Sequence, residues 1–174
     1  MKNILFTLYS ILIFSITAHS ADWSTWGGDA TRNMVSLETD LDLDFNPGEM
    51  NDDETVDMST TQNVKWVAKL GSQAYGNVTI GNGRVFAGTN NESPRDEGKK
   101  GDRGVVMCFD EKSGELDWQL VIPKLGAGKV SDWEYIGVCS SPAIEGDRVY
   151  VVTNKCEVVC LDIAGFSNGN DGPF

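Results

Sequence analysis

The chain has 174 residues, with 26 acidic and 14 basic side chains, and its formal charge is −12. Such a surface repels a polyanion, so the composition argues against binding to nucleic acid, which requires a basic face. The chain is 40% hydrophobic and 9% aromatic and includes five tryptophans, which is typical of a globular protein rather than a disordered one.

The first twenty residues have the order of a secretory signal peptide. Lys2 is followed by an apolar run over residues 4–16 and then by Ala18-His19-Ser20, which places small residues where a signal peptidase cleaves. An uncleaved membrane anchor is the alternative, but about 13 apolar residues are fewer than the roughly 20 that span a bilayer. We therefore expect residues 1–20 to be removed, the protein to be exported to the periplasm or the cell exterior, and no integral membrane segment to remain.

Cleavage after Ser20 would also remove the single histidine. Because Lys2 leaves and no acidic residue does, the formal charge changes from −12 to −13, and without His19 the exported chain contains no histidine. Nucleophiles relayed through histidine, histidine general bases and histidine-ligated metal sites are then excluded. Carboxylates, lysines, tyrosines and a bound cofactor remain for any chemistry.

Residues 21–62 differ in composition from the rest of the chain. Trp23 and Trp26 form an aromatic pair that we expect to dock on a core, and residues 37–58 hold nine carboxylates and no lysine or arginine. The alternating aspartates of residues 40–44 could form a strand or a calcium site. However, like charges repel and stay hydrated, and no loop with the six to eight oxygens that calcium needs is present. We expect an aromatic segment followed by a solvated acidic linker.

From residue 64 onward, short apolar runs are separated by turns rich in glycine, asparagine and aspartate. Runs of four to seven residues closed by glycine turns predict antiparallel strands, and no window has a helical period. The predicted strands are residues 64–70, 77–80, 84–89, 104–110, 116–122, 140–144, 148–153 and 157–162. The fold class is therefore expected to be all-β.

The predicted strands repeat. The aligned stretches are 80–86 with 144–150 at an offset of 64, and 105–110 with 157–162 and 64–66 with 116–118 at an offset of 52. Four strands per unit at a spacing of about 50 residues favour a β-propeller, whose blades bury both faces against their neighbours. This burial would explain why residues 105–109 and 149–152 are apolar throughout instead of alternating.

Residues 108–118 carry a recognisable motif. They resemble the tryptophan-docking motif of PQQ-type (pyrroloquinoline quinone) β-propeller repeats, Ala-x-Asp-x-x-Thr-Gly-x-x-x-Trp, with Cys108 at the alanine position and Ser113 at the threonine position. Asp110, Gly114 and Trp118 stand at the family's spacing. The resemblance implies that the small residue lets the next blade approach, that Asp and Gly shape the turn between the outer strands, and that the Trp packs on the neighbouring blade.

The resemblance covers residues 66–162 and implies an incomplete propeller within residues 63–174. One complete antiparallel four-stranded blade would span residues 77–122, residues 64–70 would be the outermost strand of another blade, and residues 140–162 would begin a third. After Asp162 a glycine- and asparagine-rich insertion replaces the turn, and no tryptophan follows. Because propellers close with about four to eight blades, we expect either the amino-terminal piece of a longer propeller or a truncated one with an open edge.

The family that this chain resembles contains two functional classes. Quinoprotein dehydrogenases bind PQQ and calcium in the propeller centre, whereas catalytically silent propellers serve as scaffolds, as in outer-membrane assembly factors. Nothing in the sequence aligns a carboxylate or Trp133 with a quinone site, so we name no catalytic, cofactor-binding or metal-binding residue. We expect a non-catalytic scaffold that binds a protein partner or the remaining blades. The alternative is the amino-terminal part of a PQQ-dependent alcohol or sugar dehydrogenase, and only that alternative requires PQQ and calcium.

Four cysteines suit an exported protein. Cys139 precedes one predicted strand and Cys156 follows another, so the two could lie at the same end of one blade and form a disulfide. The other interpretation is two buried thiols. Cys108 and Cys160 hold equivalent small-residue positions on different blades, which makes a bond between them the weaker hypothesis.

Overall fold

The computed structural model describes residues 22–39, 41–126 and 133–169. The expectation of an all-β fold is confirmed, because this part of the chain forms nine strands, all pairing antiparallel, and no α-helix. The strands form a two-stranded, a four-stranded and a three-stranded sheet. The expected signal peptide lies outside the described residues.

The acidic stretch contains more structure than a solvated linker. Strands β1 (Glu49–Met50) and β2 (Val56–Asp57) pair in a small hairpin, and the turn Met58–Thr60 follows as a short 3-10 helix. Asp57 caps this helix by accepting a hydrogen bond from the backbone N–H of Ser59 at 2.9 Å. Local carboxylate-to-backbone bonds of this kind stabilise turns without a hydrophobic core, and the sequence pattern of like charges did not indicate them.

The four-stranded sheet is a meander of consecutive strands. Its strands are β3 (Thr79–Gly81), β4 (Arg84–Asn90), β5 (Arg103–Asp110) and β6 (Leu116–Pro123). The turn between β3 and β4 contains Asn82 and Gly83, both at positive φ, as a tight hairpin requires. The predicted strands over residues 84–89, 104–110 and 116–122 are confirmed within one residue at each end, whereas β3 begins two residues later than predicted.

The three-stranded sheet repeats the first three strands of this meander. It contains β7 (Ala143–Glu145), β8 (Arg148–Val152) and β9 (Val158–Asp162) in sequential order. The pairs Ile80–Val85 in the first sheet and Ile144–Val149 in the second are equivalent at the offset of 64. The predicted strand over residues 140–144 begins later, at Ala143, because the Ser140 hydroxyl rather than its backbone bonds to Val152, at 2.7 and 3.1 Å.

Residues 64–70 were predicted to be a strand, and this prediction is wrong for the described part of the chain. Their side chains do alternate between half-buried and exposed positions, as in a strand, but their backbone joins no ladder there. The inward-facing side chains pack on the four-stranded sheet; they are Trp66, Ala68 and Leu70. An alternating sequence determines which side chains face the core. A β-strand also needs hydrogen bonds to a neighbouring backbone.

Both faces of the four-stranded sheet are covered. The side chains of Val105 and Met107 point to the face under residues 64–70, whereas Val106 and Cys108 point to the face under the three-stranded sheet. The expectation that β5 is buried on both sides is confirmed, since residues 104–109 are all buried. The same expectation is wrong for β8, where Val152 is 47% exposed.

The amino-terminal segment joins the two larger sheets at one edge. Trp23 exchanges two backbone hydrogen bonds with Ile80 of β3, at 2.9 and 3.0 Å, and Ser24 accepts one from the backbone of Ile144 in β7 at 2.7 Å. The segment thus joins the sheets through its backbone, whereas the Trp23 ring lies against Gly28 of the same segment, and Trp26 is 49% exposed and lies beside the Arg32 guanidinium.

Candidate functional site

The turn between β5 and β6 is organised by one carboxylate. Oδ1 of Asp110 accepts hydrogen bonds from the backbone N–H of Ser113 (2.7 Å), the Ser113 hydroxyl (2.9 Å) and the backbone N–H of Lys112 (3.0 Å). The bonds from Ser113 lower the pKa of Asp110 below its usual value, because they stabilise the charged form. Gly114 completes the turn at φ +74°, a conformation that favours glycine.

Trp66 lies directly on this turn. Its indole N–H donates to the carbonyl oxygen of Glu111 at 2.9 Å, and its ring occupies the space where a side chain at position 114 would begin. The ring also packs 6.4 Å from the ring of Phe109, measured between centroids. Gly114 therefore serves two purposes, since it permits the turn and leaves room for the indole ring. We call this contact surface, formed by the carbonyl group of Glu111 and by Gly114, the tryptophan seat.

Trp118 makes the same contact one sheet further along the chain. Its indole N–H donates to the carbonyl oxygen of Ile163 at 3.0 Å, and a Cβ on Gly165 would come within 2.6 Å of the ring. Gly165 has φ +59°, so it too takes a conformation that disfavours other residues. The five motif residues thus do not form one site, because Trp118 leaves its own turn and lies on the next.

The insertion after Asp162 was expected to replace the turn, but it retains the seat for a tryptophan. Asp162 bonds the backbone N–H of Ala164 at 2.7 Å, as Asp110 bonds residues of its own turn. Sequence reasoning missed Ile163 and Gly165. The offset of 52 that relates Trp66 to Trp118 also relates Glu111 to Ile163, so Ile163 could have been found in this way. The same offset carries Gly114 to Phe166, one residue past Gly165.

Cys108 lies fully buried between the two larger sheets. It packs with Phe86, Val149 and Ile163, and the Phe86 and Trp118 ring centroids are 5.8 Å apart at this junction. Burial raises the pKa of the Cys108 thiol to about 12, and the nearby Asp117 carboxylate adds to the effect. The side chain therefore behaves as a small packing residue and not as a nucleophile.

The β3 edge of the four-stranded sheet and the β7 edge of the three-stranded sheet are joined by equivalent residues. The Asn82 side-chain amide donates to the carbonyl oxygen of Gly146 at 2.5 Å, and the backbone N–H of Asn77 donates to the Ser141 hydroxyl at 2.8 Å. Both pairs are separated by 64 residues, which is the offset of the repeat. Each unit therefore contacts its own counterpart in the next unit, as in stacked repeats.

Cys139 and Cys156 are thiols in the structure and not a disulfide. They do lie near one end of the three-stranded sheet: Cys139 precedes Ser140, which bonds Val152, and the backbone N–H of Cys156 donates to the carbonyl oxygen of Thr153 at 3.0 Å. Both are exposed, so the interpretation as two buried thiols is wrong for this pair. Cys160 is half-buried.

Over residues 22–39, 41–126 and 133–169, no three histidine, cysteine, aspartate or glutamate side chains converge where they could hold a metal ion. Trp133 is 64% exposed, and its carbonyl oxygen accepts a hydrogen bond from Lys124 at 2.5 Å.

A cleft of about 660 Å³ lies between the hairpin of β1 and β2 and residues 67–72. Its walls carry Met50, Val56 and Met58 on the hairpin side and Val67 on the other, and the ion pair between Lys69 and Glu54 (2.6 Å) crosses it.

In the described part of the chain, no helix is both long and apolar enough to cross a membrane. Comparison of the sequence with models of protein families and with curated proteins gives no match.

Proposed function

We propose that this protein is an exported, non-catalytic scaffold made of PQQ-like β-propeller repeats that binds a protein partner or further repeats. The observation that carries the proposal is the repeated tryptophan seat. Trp66 on Glu111 and Gly114, and Trp118 on Ile163 and Gly165, use the same hydrogen bond and the same close approach to glycine. A contact that recurs with the repeat serves to hold neighbouring repeats together.

The polar residues of the motif support the same proposal. Asp110 and Ser113 direct their hydrogen bonds into their own turn, and Asn82 directs its amide to the neighbouring sheet. Side chains used in this way hold the architecture together and are not presented to a substrate. Export is supported by the sequence alone, through the signal-like residues 1–20.

The experiment that tests the non-catalytic function supplies what the dehydrogenase alternative would need. The full chain is incubated with PQQ, Ca²⁺ and an artificial electron-accepting dye, together with a panel of primary alcohols and aldose sugars. We expect dye reduction at the rate of a sample without protein. Reduction that requires both PQQ and the protein would overturn the proposal and establish a quinoprotein.

Export has its own test. When the full coding sequence is expressed in a secreting host, the exported protein should have Ala21 as its first residue. Amino-terminal sequencing measures this directly. Retention of residues 1–20 on the exported form, or accumulation of all the protein in the cytoplasm, would contradict it.

A further inference from the structure

A second pocket, of about 450 Å³, opens where the amino-terminal segment meets the two larger sheets. Its wall is formed by side chains of residues 25–32, by residues 75–77 before β3, and by Cys139 and Ser141 before β7. The volume lies within the roughly 300–1,000 Å³ that is usual for sites of small molecules. This pocket is separate from the cleft beside the hairpin of β1 and β2.

The close approach of Gly76 to Ser140 brings the two sheet edges together at this pocket. A Cβ on Gly76 would lie 2.5 Å from the carbonyl oxygen of Ser140, so a larger residue would push the edges apart. Next to this contact, Asn77 lies beside Ser141, its equivalent at the offset of 64. The repeat therefore places equivalent positions of neighbouring units side by side in the wall of the pocket.

Arg32 is the one charged side chain among the described residues that line the pocket. Its guanidinium forms no ion pair within the described part of the chain. The carboxylate of Asp29 accepts hydrogen bonds from the backbone N–H and the hydroxyl of Thr31 instead, at 2.8 and 2.6 Å. These bonds lower the pKa of Asp29 more than Arg32 does. The pocket thus carries a positive charge without a fixed counter-ion.

The Arg32 guanidinium is held along one edge only. Its Nη1 donates to the Thr25 hydroxyl oxygen at 3.1 Å and to the carbonyl oxygen of Trp26, and its carbon lies 5.7 Å from the centroid of the Trp26 ring. The side chain rests on Gly27, where a Cβ would come within 3.1 Å of the Arg32 Cδ. Because these hydrogen bonds use Nη1, the edge formed by Nε and Nη2 keeps its N–H groups for another acceptor.

The neutral side chains of the pocket are also left as donors. The Thr25 hydroxyl oxygen accepts from Arg32, and the Ser141 hydroxyl oxygen accepts from the backbone N–H of Asn77 at 2.8 Å. Each hydroxyl group therefore still has its own proton to donate, and the exposed amide of Asn77 adds further donors. Since no carboxylate is among the described lining residues, this donor set fits a ligand that carries an oxyanion.

The free edge of Arg32 fits a carboxylate. The Nε and Nη2 groups lie in one plane and can donate two parallel hydrogen bonds to the two oxygens of a carboxylate. A doubly charged phosphate would leave one negative charge without a counter-ion, because the described wall has a single cation. The acidic groups elsewhere on the chain are largely screened beyond about 10 Å at 0.1 M ionic strength, so the nearby donors decide the binding.

Tyr75 supplies a flat apolar surface at the same pocket. Its side chain is 62% exposed, and its hydroxyl donates to Oε1 of Gln73 at 2.8 Å, which orients the ring. A pyranose has C–H groups on its faces and hydroxyls around its edge. It can therefore lie on the tyrosine ring while its hydroxyls accept hydrogen bonds from Thr25, Ser141 and Asn77. A carboxylate without such a ring would leave Tyr75 and these donors unused.

We propose that this pocket binds a sugar acid, with the carboxylate of a hexuronate on the Nε–Nη2 edge of Arg32 and the sugar ring against Tyr75. The proposal goes beyond the scaffold function and does not depend on it, because no bond of the ligand forms or breaks.

Isothermal titration calorimetry of the full chain, purified from a secreting host, tests the class of ligand. We expect D-galacturonate to bind saturably. Galactose lacks the carboxylate, acetate lacks the ring, benzoate lacks the hydroxyls and inorganic phosphate lacks both ring and carboxylate, so each should bind at least about tenfold more weakly. Absence of galacturonate binding, or equal binding of any of these four compounds, would overturn the assignment.

A matched pair of variants tests the role of Arg32. Arg32→Lys keeps the charge but cannot donate two parallel hydrogen bonds, so it should raise the Kd for galacturonate at least about tenfold. Arg95→Lys is the control, because the Arg95 guanidinium also lies beside a ring, 6.0 Å from the Phe109 centroid, but does not line this pocket. The control should leave the Kd unchanged. An unchanged Kd in Arg32→Lys would contradict the proposed contact.

Two cysteines supply a measurement that needs no variant. Both Cys139 and Cys156 are exposed, but only Cys139 lines the pocket. In reduced protein with galacturonate at about ten times its Kd, about nine tenths of the pockets are occupied, so iodoacetamide should label Cys139 about tenfold more slowly. Cys156 should react at its rate without ligand. An unchanged rate at Cys139, or equal slowing of both thiols, would show that the ligand does not occupy this pocket and would overturn the proposal.

Discussion

The ring of Trp118 lies on Gly165, and a Cβ at that position would come within 2.6 Å of it. Trp118 belongs to β6, whereas Gly165 lies in the turn after β9, and the indole N–H of Trp118 donates to the carbonyl oxygen of Ile163 in the same turn. Trp66 and Gly114 repeat this arrangement one sheet earlier. The contact holds the segment around Trp66 on the turn between β5 and β6, and holds β6 on the turn after β9.

Alanine at Gly114 or Gly165 should destabilise the fold. The added Cβ meets an indole ring, and both residues have positive φ, so each variant should lower the free energy of unfolding by about 2–4 kcal/mol. Chemical denaturation followed by tryptophan fluorescence measures the change. The matched controls are Gly83→Ala and Gly146→Ala, at φ +73° and +59°, where no atom lies within 4 Å of the new Cβ.

Those controls share the backbone strain of the test variants but not the steric contact. They should cost only about 1 kcal/mol each. If the controls destabilised the protein as much as the test variants do, the close approach of the indole would contribute nothing, and the seat described for Trp66 and Trp118 would be wrong.

Phenylalanine in place of Trp118 should lower the free energy of unfolding by about 1–3 kcal/mol. The variant loses the hydrogen bond to Ile163 and leaves that half-buried carbonyl oxygen without its donor, and it also loses packing area on Gly165. Thermal unfolding is the measurement. Trp133→Phe, at a position that is 64% exposed, is the control and should change stability by no more than about 0.5 kcal/mol.

The turn at Asp110 should make stability depend on pH. Because hydrogen bonds lower the pKa of Asp110 in the folded protein, the carboxylate contributes stability above its unfolded pKa, and this contribution is lost as the pH falls through the folded pKa. Asp110→Asn should therefore be less stable than the wild type at pH 7, and the difference should shrink in strong acid. Urea unfolding at the two pH values measures it.

Ser113→Ala should have a smaller effect on the pH dependence of stability than Asp110→Asn. It removes the hydroxyl donor at 2.9 Å but keeps the two backbone donors to the carboxylate. Its pH dependence should lie between those of the wild type and Asp110→Asn. A wild-type and an Asp110→Asn protein that differed equally at every pH would show that the ionised carboxylate has no part in the turn.

The four thiols should differ in reactivity. Iodoacetamide at pH 8 should label Cys139 and Cys156, which are exposed, and should not label Cys108, which is buried with its pKa raised to about 12. Intact mass and peptide mapping measure the labels. Denaturant should make Cys108 reactive, and labelling of Cys108 in the folded protein would contradict its position between the sheets.

The same experiment decides the proposed disulfide. Without a reductant, two labels at Cys139 and Cys156 show the thiols that the structure contains. Unlabelled Cys139 and Cys156 that become labelled only after reduction would show that the exported protein forms the disulfide.

Much of the sheet structure could be predicted from the sequence, because glycine and asparagine mark its turns. The hairpins at Asn82 and Gly146 separate apolar runs of a few residues, and β4, β5 and β6 lie within one residue of their predicted ends. Burial on both faces of β5 also followed from its unbroken apolar sequence. These features depend on local backbone preferences and on side-chain pattern, which a sequence contains.

Other features depended on what lies next to a segment in space. Residues 64–70 have the pattern of a strand and pack like one, yet the described chain offers their backbone no neighbour. The hairpin of β1 and β2 formed within a run of like charges, where the carboxylates of Asp53 and Asp57 accept hydrogen bonds from the backbone N–H groups of Thr55 and Ser59 and so stabilise the turns. The composition shows how many carboxylates the segment has, but not which backbone N–H groups donate hydrogen bonds to them.

The sequence by itself determined the strands of the two larger sheets to within about three residues, the repeat and the identity of the residues that recur at its offsets. Only the tertiary structure decided that Trp118 lies on Gly165, that Cys108 is sealed between sheets, and that residues 64–70 and β9 stand on opposite sides of one sheet. The reason is that strand formation follows local patterns of two residues, whereas each docking contact joins residues some 45 positions apart whose meeting depends on how whole sheets stack.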